Sequence, residues 1–116
     1  MTVVTHGAAV PIVESAADEL GLDADLLDLR TLQPLDADAV LTSVRKTGRV
    51  LFVEPEAGAH RITAELVSAL WERAFEHLDA PPRRIRLGSA ATARLNGGAQ
   101  KDLKAIKGAS GELLEY

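Results

Sequence analysis

The chain has 116 residues, of which 47% are apolar and 26% charged, and a formal net charge of −4. This is the composition of an ordinary globule, one domain large enough to bury a single core without staples. The absence of cysteine removes disulfides, thiolate chemistry and cysteine-type zinc sites. No apolar run approaches the roughly 20 residues of a membrane span and no basic-then-apolar leader opens the sequence, so the cytoplasm is the expected location.

The charge is unevenly spread. Residues 1–82 hold 6 Lys and Arg against 14 Asp and Glu, a balance of −8, whereas residues 83–116 hold 7 against 3, a balance of +4. A basic tail is one signature of nucleic-acid binding. No aromatic residue is interleaved with Arg83, Arg84, Arg86, Arg94, Lys101, Lys104 and Lys107, however, so a base-stacking platform is not expected. The segment is expected to fold back onto the acidic body or onto an acidic partner.

The β-branched run Thr2-Val3-Val4-Thr5, ending at Gly7, predicts a strand. Ile12, Val13, Ala16, Ala17 and Leu20 recur at helical spacing, with Pro11 tolerated in the first turn and Gly21 placed as a stop. Residues 26–29 predict a second strand. A second helix runs from Asp36, the expected N-cap, through Val40, Leu41 and Val44 to Gly48, with Arg45 and Lys46 opposing the negative end of its dipole. Arg49-Val50-Leu51-Phe52-Val53-Glu54 is an almost unbroken apolar run, as in a strand covered on both faces. Strands alternating with helices across short turns imply a three-layer α/β sandwich with a parallel sheet.

The third helix, expected over residues 61–78, carries two apolar stripes. Leu66, Leu70 and Ala74 form one, and Val67, Trp71 and Phe75 the other. Together they cover roughly half the circumference, against the ~100° that one-sided burial requires. Ile62, Val67, Trp71 and Phe75 are therefore candidates for a subunit or domain interface, with cover by the chain's own tail as the alternative. Arg83 to Leu87 alternates basic and apolar, as in a strand with one wet face. Asn96-Gly97-Gly98 predicts a turn, residues 99–106 a short helix with Leu103 and Ile106 inward, and residues 108–116 a loose end.

The string Asp28-Leu29-Arg30-Thr31-Leu32-Gln33-Pro34-Leu35-Asp36, in register with several flanking motifs, carries a resemblance. Those motifs are Val3-Val4-Thr5-His6-Gly7, the segment from Lys46-Thr47-Gly48-Arg49 to Glu54, and the helix Ala64-Glu65-Leu66 to Ala74-Phe75-Glu76-His77 with its Leu78-Asp79-Ala80-Pro81 exit. The set resembles the C-terminal domain of transketolase-like thiamine diphosphate enzymes, above all the β subunit of the 2-oxo acid dehydrogenase E1 component. The resemblance covers about residues 1–87, leaving residues 88–116 as a divergent basic tail whose short helix would pack on the same domain. It implies a mixed, mostly parallel sheet of about five strands. It also implies that cofactor binding and activation reside on other domains, so that no catalytic, cofactor-binding or metal-ligating residue is expected in this chain. Thiamine diphosphate and Mg would belong to the parent assembly. The implied role is contact with chains carrying the cofactor-binding domains or with a second copy, and with an E2-type core protein. One departure is His60-Arg61-Ile62-Thr63 in place of the usual glycine-rich turn before Ala64-Glu65.

Local candidates for chemistry are few. His6 is expected to be a polar strand-end residue and His77 a partly buried structural one beside Leu66 and Leu70. His60, in the loop with Glu54, Glu56 and Arg61 at the carboxyl end of a strand, is the best functional candidate, but no partner base or nucleophile is identifiable. Glu54 and Glu56 supply too few ligands for a hard metal and are expected to form a solvated acidic loop. Neither Gly-x-Gly-x-x-Gly nor a Walker A pattern occurs. The second reading of the chain is a stand-alone flavodoxin-like module holding a small regulatory ligand or anion at the Glu54–Arg61 loop.

Overall fold

A computed structural model describes residues 1–29, 36–55, 60–88 and 98–116. The elements in chain order are β1 (Thr2–Thr5), α1 (Ala9–Leu20), β2 (Asp25–Asp28), α2 (Ala37–Thr47), β3 (Val50–Glu54), α3 (His60–Arg73), β4 (Arg83–Arg86) and α4 (Gly98–Leu114), with a 3-10 turn at Phe75–His77. The sheet has the order β2-β1-β3-β4. Every neighbouring pair is parallel, with Thr5 opposite Asp28 and Val53, and Glu54 opposite Arg86. Parallel pairing follows from the connections, since a helix carries the chain back along the sheet between successive strands. The described strands thus number four, all parallel, where the family resemblance implied about five in a mixed sheet; residues 89–97 lie outside the described residues.

Alternation along the two central strands divides the core. Val3, Leu51 and Val53 face Val13 and Ala16 of α1 and Ile106, Ala109 and Leu113 of α4. Val4, Val50 and Phe52 face Val40, Leu41 and Val44 of α2 and Leu66, Leu70 and Ala74 of α3. Each central strand is buried along its whole length, which is why β3 is a continuous apolar run. Thr2, fully buried at the start of β1, is accommodated by Ser43 Oγ and Thr47 Oγ1, each 2.7 Å from its Oγ1. Ser43 in turn donates to Asp25 Oδ2 at 3.0 Å.

The expected helix ends of the first half are present. Gly21 is left-handed at φ 62°, with the Leu22 amide bonded back to the Ala17 carbonyl. Asp36 Oδ1 accepts the Ala39 amide at 3.1 Å, as an N-cap should. Gly48, at φ 75°, closes α2 where the Asp79 amide donates to its carbonyl at 2.8 Å; a Cβ here would sit 3.2 Å from the His77 carbonyl oxygen.

Two expectations need correction. α3 stops at Arg73, and the chain tightens into the 3-10 turn that brings Asp79 back to Gly48. His77 is consequently exposed and not packed beside Leu66 and Leu70. The tail is ordered rather than loose: α4 runs to Leu114, burying Asp102, Ile106, Ala109, Ser110 and Leu113 along one side. Arg49 holds its end, donating to the Leu113 carbonyl at 2.9 Å and the Tyr116 carbonyl at 2.7 Å. Among the described residues, no helix is long and apolar enough to cross a membrane.

Candidate functional site

The outer flank of α3 and the turn after it carry two exposed aromatic side chains. Leu66, Leu70 and Ala74 turn inward and are at most 2% exposed. On the side toward α2, Arg73 pairs with Asp38 at 2.8 Å and accepts on its carbonyl from Arg45. At 100° per residue, Val67 and Trp71 lie on the opposite side, away from α2, and Phe75 follows in the 3-10 turn. Ile62 and Val67 are half-buried and lean on the α2–α3 core, whereas Trp71 is 63% and Phe75 54% exposed. Their rings touch, with centroids 4.6 Å apart and planes tilted by 58°. A tilted aromatic pair presents rigid apolar area with little rotamer entropy left to lose. The described tail does not cover it, because α4 packs against α1, β3 and β4 on the other face of the sheet.

The loop candidates are not brought together as a solvent-facing cluster. Glu54, the last residue of β3, is 2% exposed, so the expected solvated acidic loop does not include it. Its Oε2 faces Arg86 Nε across the β3–β4 pair at 3.8 Å, and this arginine offsets the desolvation of the carboxylate. Arg61 is exposed, His60 begins α3, and Glu56 lies outside the described residues, as do the turn at residues 30–35 and Asn96-Gly97. Among the described residues, no group of three or more His, Asp and Glu side chains is placed to hold a metal ion.

Sequence reasoning missed two polar arrangements. Asp25 takes hydrogen bonds from Lys46, at 2.7 Å, and from Ser43, and these hold its carboxyl below the ordinary carboxylate value. The helical spacing of Ser43 and Lys46 was a signal that both share one side of α2. At the other end of the sheet, Thr5 Oγ1 and His6 Nε2 are buried without a hydrogen-bond partner. Each such orphan costs about 1–3 kcal/mol. Nothing in the local sequence distinguishes them from satisfied strand-end groups.

The geometry defines a doubly wound, parallel α/β domain with a flavodoxin-like strand order and an aromatic helix flank turned outward. The model of the family "Transketolase, C-terminal domain" matches residues 1–105, and the chain belongs to that family. It is 44% identical over 85 residues to the 2-oxoisovalerate dehydrogenase subunit beta of Pseudomonas aeruginosa, a match covering 73% of this chain and 24% of that protein. It is 40% identical over 88 residues to the pyruvate dehydrogenase E1 component subunit beta of Bacillus subtilis, covering 73% of this chain and 27% of that protein. The chain thus spans about a quarter of the length of these curated relatives. A solved structure described as a split gene transketolase, inactive beta4 tetramer, superposes with a TM-score of 0.71 at 23% identity, covering 97% of this chain and 38% of that one. At that identity the likeness shows the fold.

Proposed function

We propose that this domain serves assembly in a thiamine diphosphate-dependent 2-oxo acid dehydrogenase E1 or transketolase-like enzyme, offering the outer flank of α3 to a partner chain and turning over no substrate alone. The observation that carries this reading is the exposed Trp71–Phe75 pair, at the end of α3 and in the turn that follows, beside an inner stripe that is already fully buried. Exposed contiguous aromatics of this kind mark interaction sites. The partner would be a chain bearing the cofactor-binding domains, or a second copy, and an E2-type core protein could dock on the assembled enzyme. On this reading thiamine diphosphate and Mg would be held by other domains. The cytoplasm is the proposed compartment.

Reconstitution tests this. E1 chains carrying the cofactor-binding domains but lacking residues 1–116 should regain 2-oxo acid decarboxylation only when the domain is supplied. Trp71→Ala with Phe75→Ala should weaken association about 100-fold or more, since buried aromatic anchors contribute upward of about 2 kcal/mol each. The same pair should change the stability of the isolated domain by no more than about 0.5 kcal/mol, as for other surface positions. Full activity without the domain would refute the assembly role, and undiminished association of the double variant would refute the α3 surface.

A further inference from the structure

Two exposed surfaces, on opposite faces of the sheet, match each other in charge and shape. The first is the end of α3. A cleft of about 350 Å3 opens there, lined among others by Trp71, Glu72, Phe75 and Glu76, all four of them exposed. The negative end of the α3 dipole falls at the same place. Arg73, the basic residue of this last turn, is drawn away to Asp38, and Arg61 stands at the opposite end of the helix. Neither Glu72 nor Glu76 forms an ion pair among the described residues. Aromatic faces flanked by two carboxylates at a helix C-terminus select a cation, through the ring quadrupole and the two charges together.

The second surface is the outer side of α4. This helix buries Ile106, Ala109 and Leu113 and exposes Lys101, Lys104, Ala105, Lys107 and Gly108. At 100° per residue Lys104 stands opposite the buried side, with Lys101 and Lys107 three residues before and after it. None of the three lysines forms an ion pair among the described residues. Beside Lys104 the ridge is low: Ala105 and Gly108 carry little side chain, and a Cβ at Gly108 would meet nothing within 4 Å. A bulky ring can therefore approach the helix while a lysine reaches past it.

We propose that the end of α3 in one copy receives the α4 ridge of a second copy, with Lys104 in the Trp71–Phe75 cleft facing Glu72 and Glu76. The inference rests on the α3 flank being an interaction surface and names what that surface accepts when the chain is alone. The overall charges favour the same orientation, with −8 over residues 1–82 against +4 over residues 83–116. Because cleft and ridge lie on opposite faces of the sheet, the contact is head-to-tail and continues from copy to copy.

Sedimentation velocity of the whole chain tests this. In about 0.05 M salt the sedimentation coefficient should keep rising from about 10 μM to about 1 mM protein, and in about 0.5 M salt it should fall back toward the monomer value. Lys104→Glu and Glu72→Lys, both at exposed positions, should each weaken association about tenfold or more and leave thermal melting unchanged. Combined in one chain, they restore opposite charges across every contact and should recover the association. Reconstitution of E1 chains with the Lys104→Glu domain should retain full activity, so loss of self-association reads separately from loss of the assembly role. A monomer throughout at low salt, single variants that associate like the parent, or a double variant no better than the singles overturns the proposal.

Discussion

Asp25 shows how a partly exposed carboxylate is recruited to the fold. It begins an edge strand, yet its oxygens are turned onto α2, where Lys46 and Ser43 reach them and Ser43 passes the contact on to the buried Thr2. Because its folded-state pKa is lowered, its contribution is fully present above the ordinary value of about 3.9 and is lost as pH falls through the lower folded value. With more than a third of the side chain in solvent, that contribution is about 1 kcal/mol or less. Asp25→Asn should therefore lower stability to denaturant by no more than this near about pH 7 and match the parent near about pH 2. A difference that persists undiminished in acid would mean that shape, not charge, sets the contact. The position of Glu54 is a residue-scale fact that the sequence conceals. Its partner Arg86 lies far along the chain, and only the β3–β4 register brings them face to face.

The elements differ in how plainly they are written. β1 through α2 follow from apolar periodicity and from stop and cap residues, and Gly21, Asp36 and Gly48 perform the expected tasks. The second stripe is divided in the structure: Trp71 and Phe75 are exposed, whereas Ile62 and Val67 lean on the core between α2 and α3. The end of α3 was not legible: nothing in Ala74-Phe75-Glu76-His77 breaks a helix, and the stop comes from the distant anchor of Asp79 on Gly48. α4 was underestimated for a related reason. Gly108 and Gly111 lower its intrinsic propensity, and only docking against α1 and the sheet makes the full 17 residues helical. If packing holds this helix, Leu113→Ala, at a site with no exposure, should cost about 2–5 kcal/mol and unravel the last turns, as read by denaturant melts and amide exchange over residues 107–116. A loss below about 0.5 kcal/mol would place the burial of Leu113 in doubt.

At the scale of the whole molecule, Arg86 of the basic segment faces Glu54 of the acidic body, while Arg83 pairs within the segment itself, with Glu112 of α4. The basic stretch is thereby drawn onto its own domain, leaving the aromatic flank of α3 on the other side of the sheet unobstructed by the described tail. The two edge strands differ in sign as well: β2 is Asp-Leu-Leu-Asp and β4 is Arg-Arg-Ile-Arg. Charges at short edge strands discourage unwanted pairing with further chains.

Arg49 has one more consequence. Its main-chain carbonyl accepts from the amide of Thr2 while its guanidinium donates to the carbonyl of Tyr116, so a single residue stands between the first strand and the last residue. Residues 2 and 116 are therefore near neighbours. A brief glycine-serine bridge should be able to join them and a new opening be cut beside the exposed Asp23, giving a reordered protein that melts as one unit and still displays Trp71 to solvent.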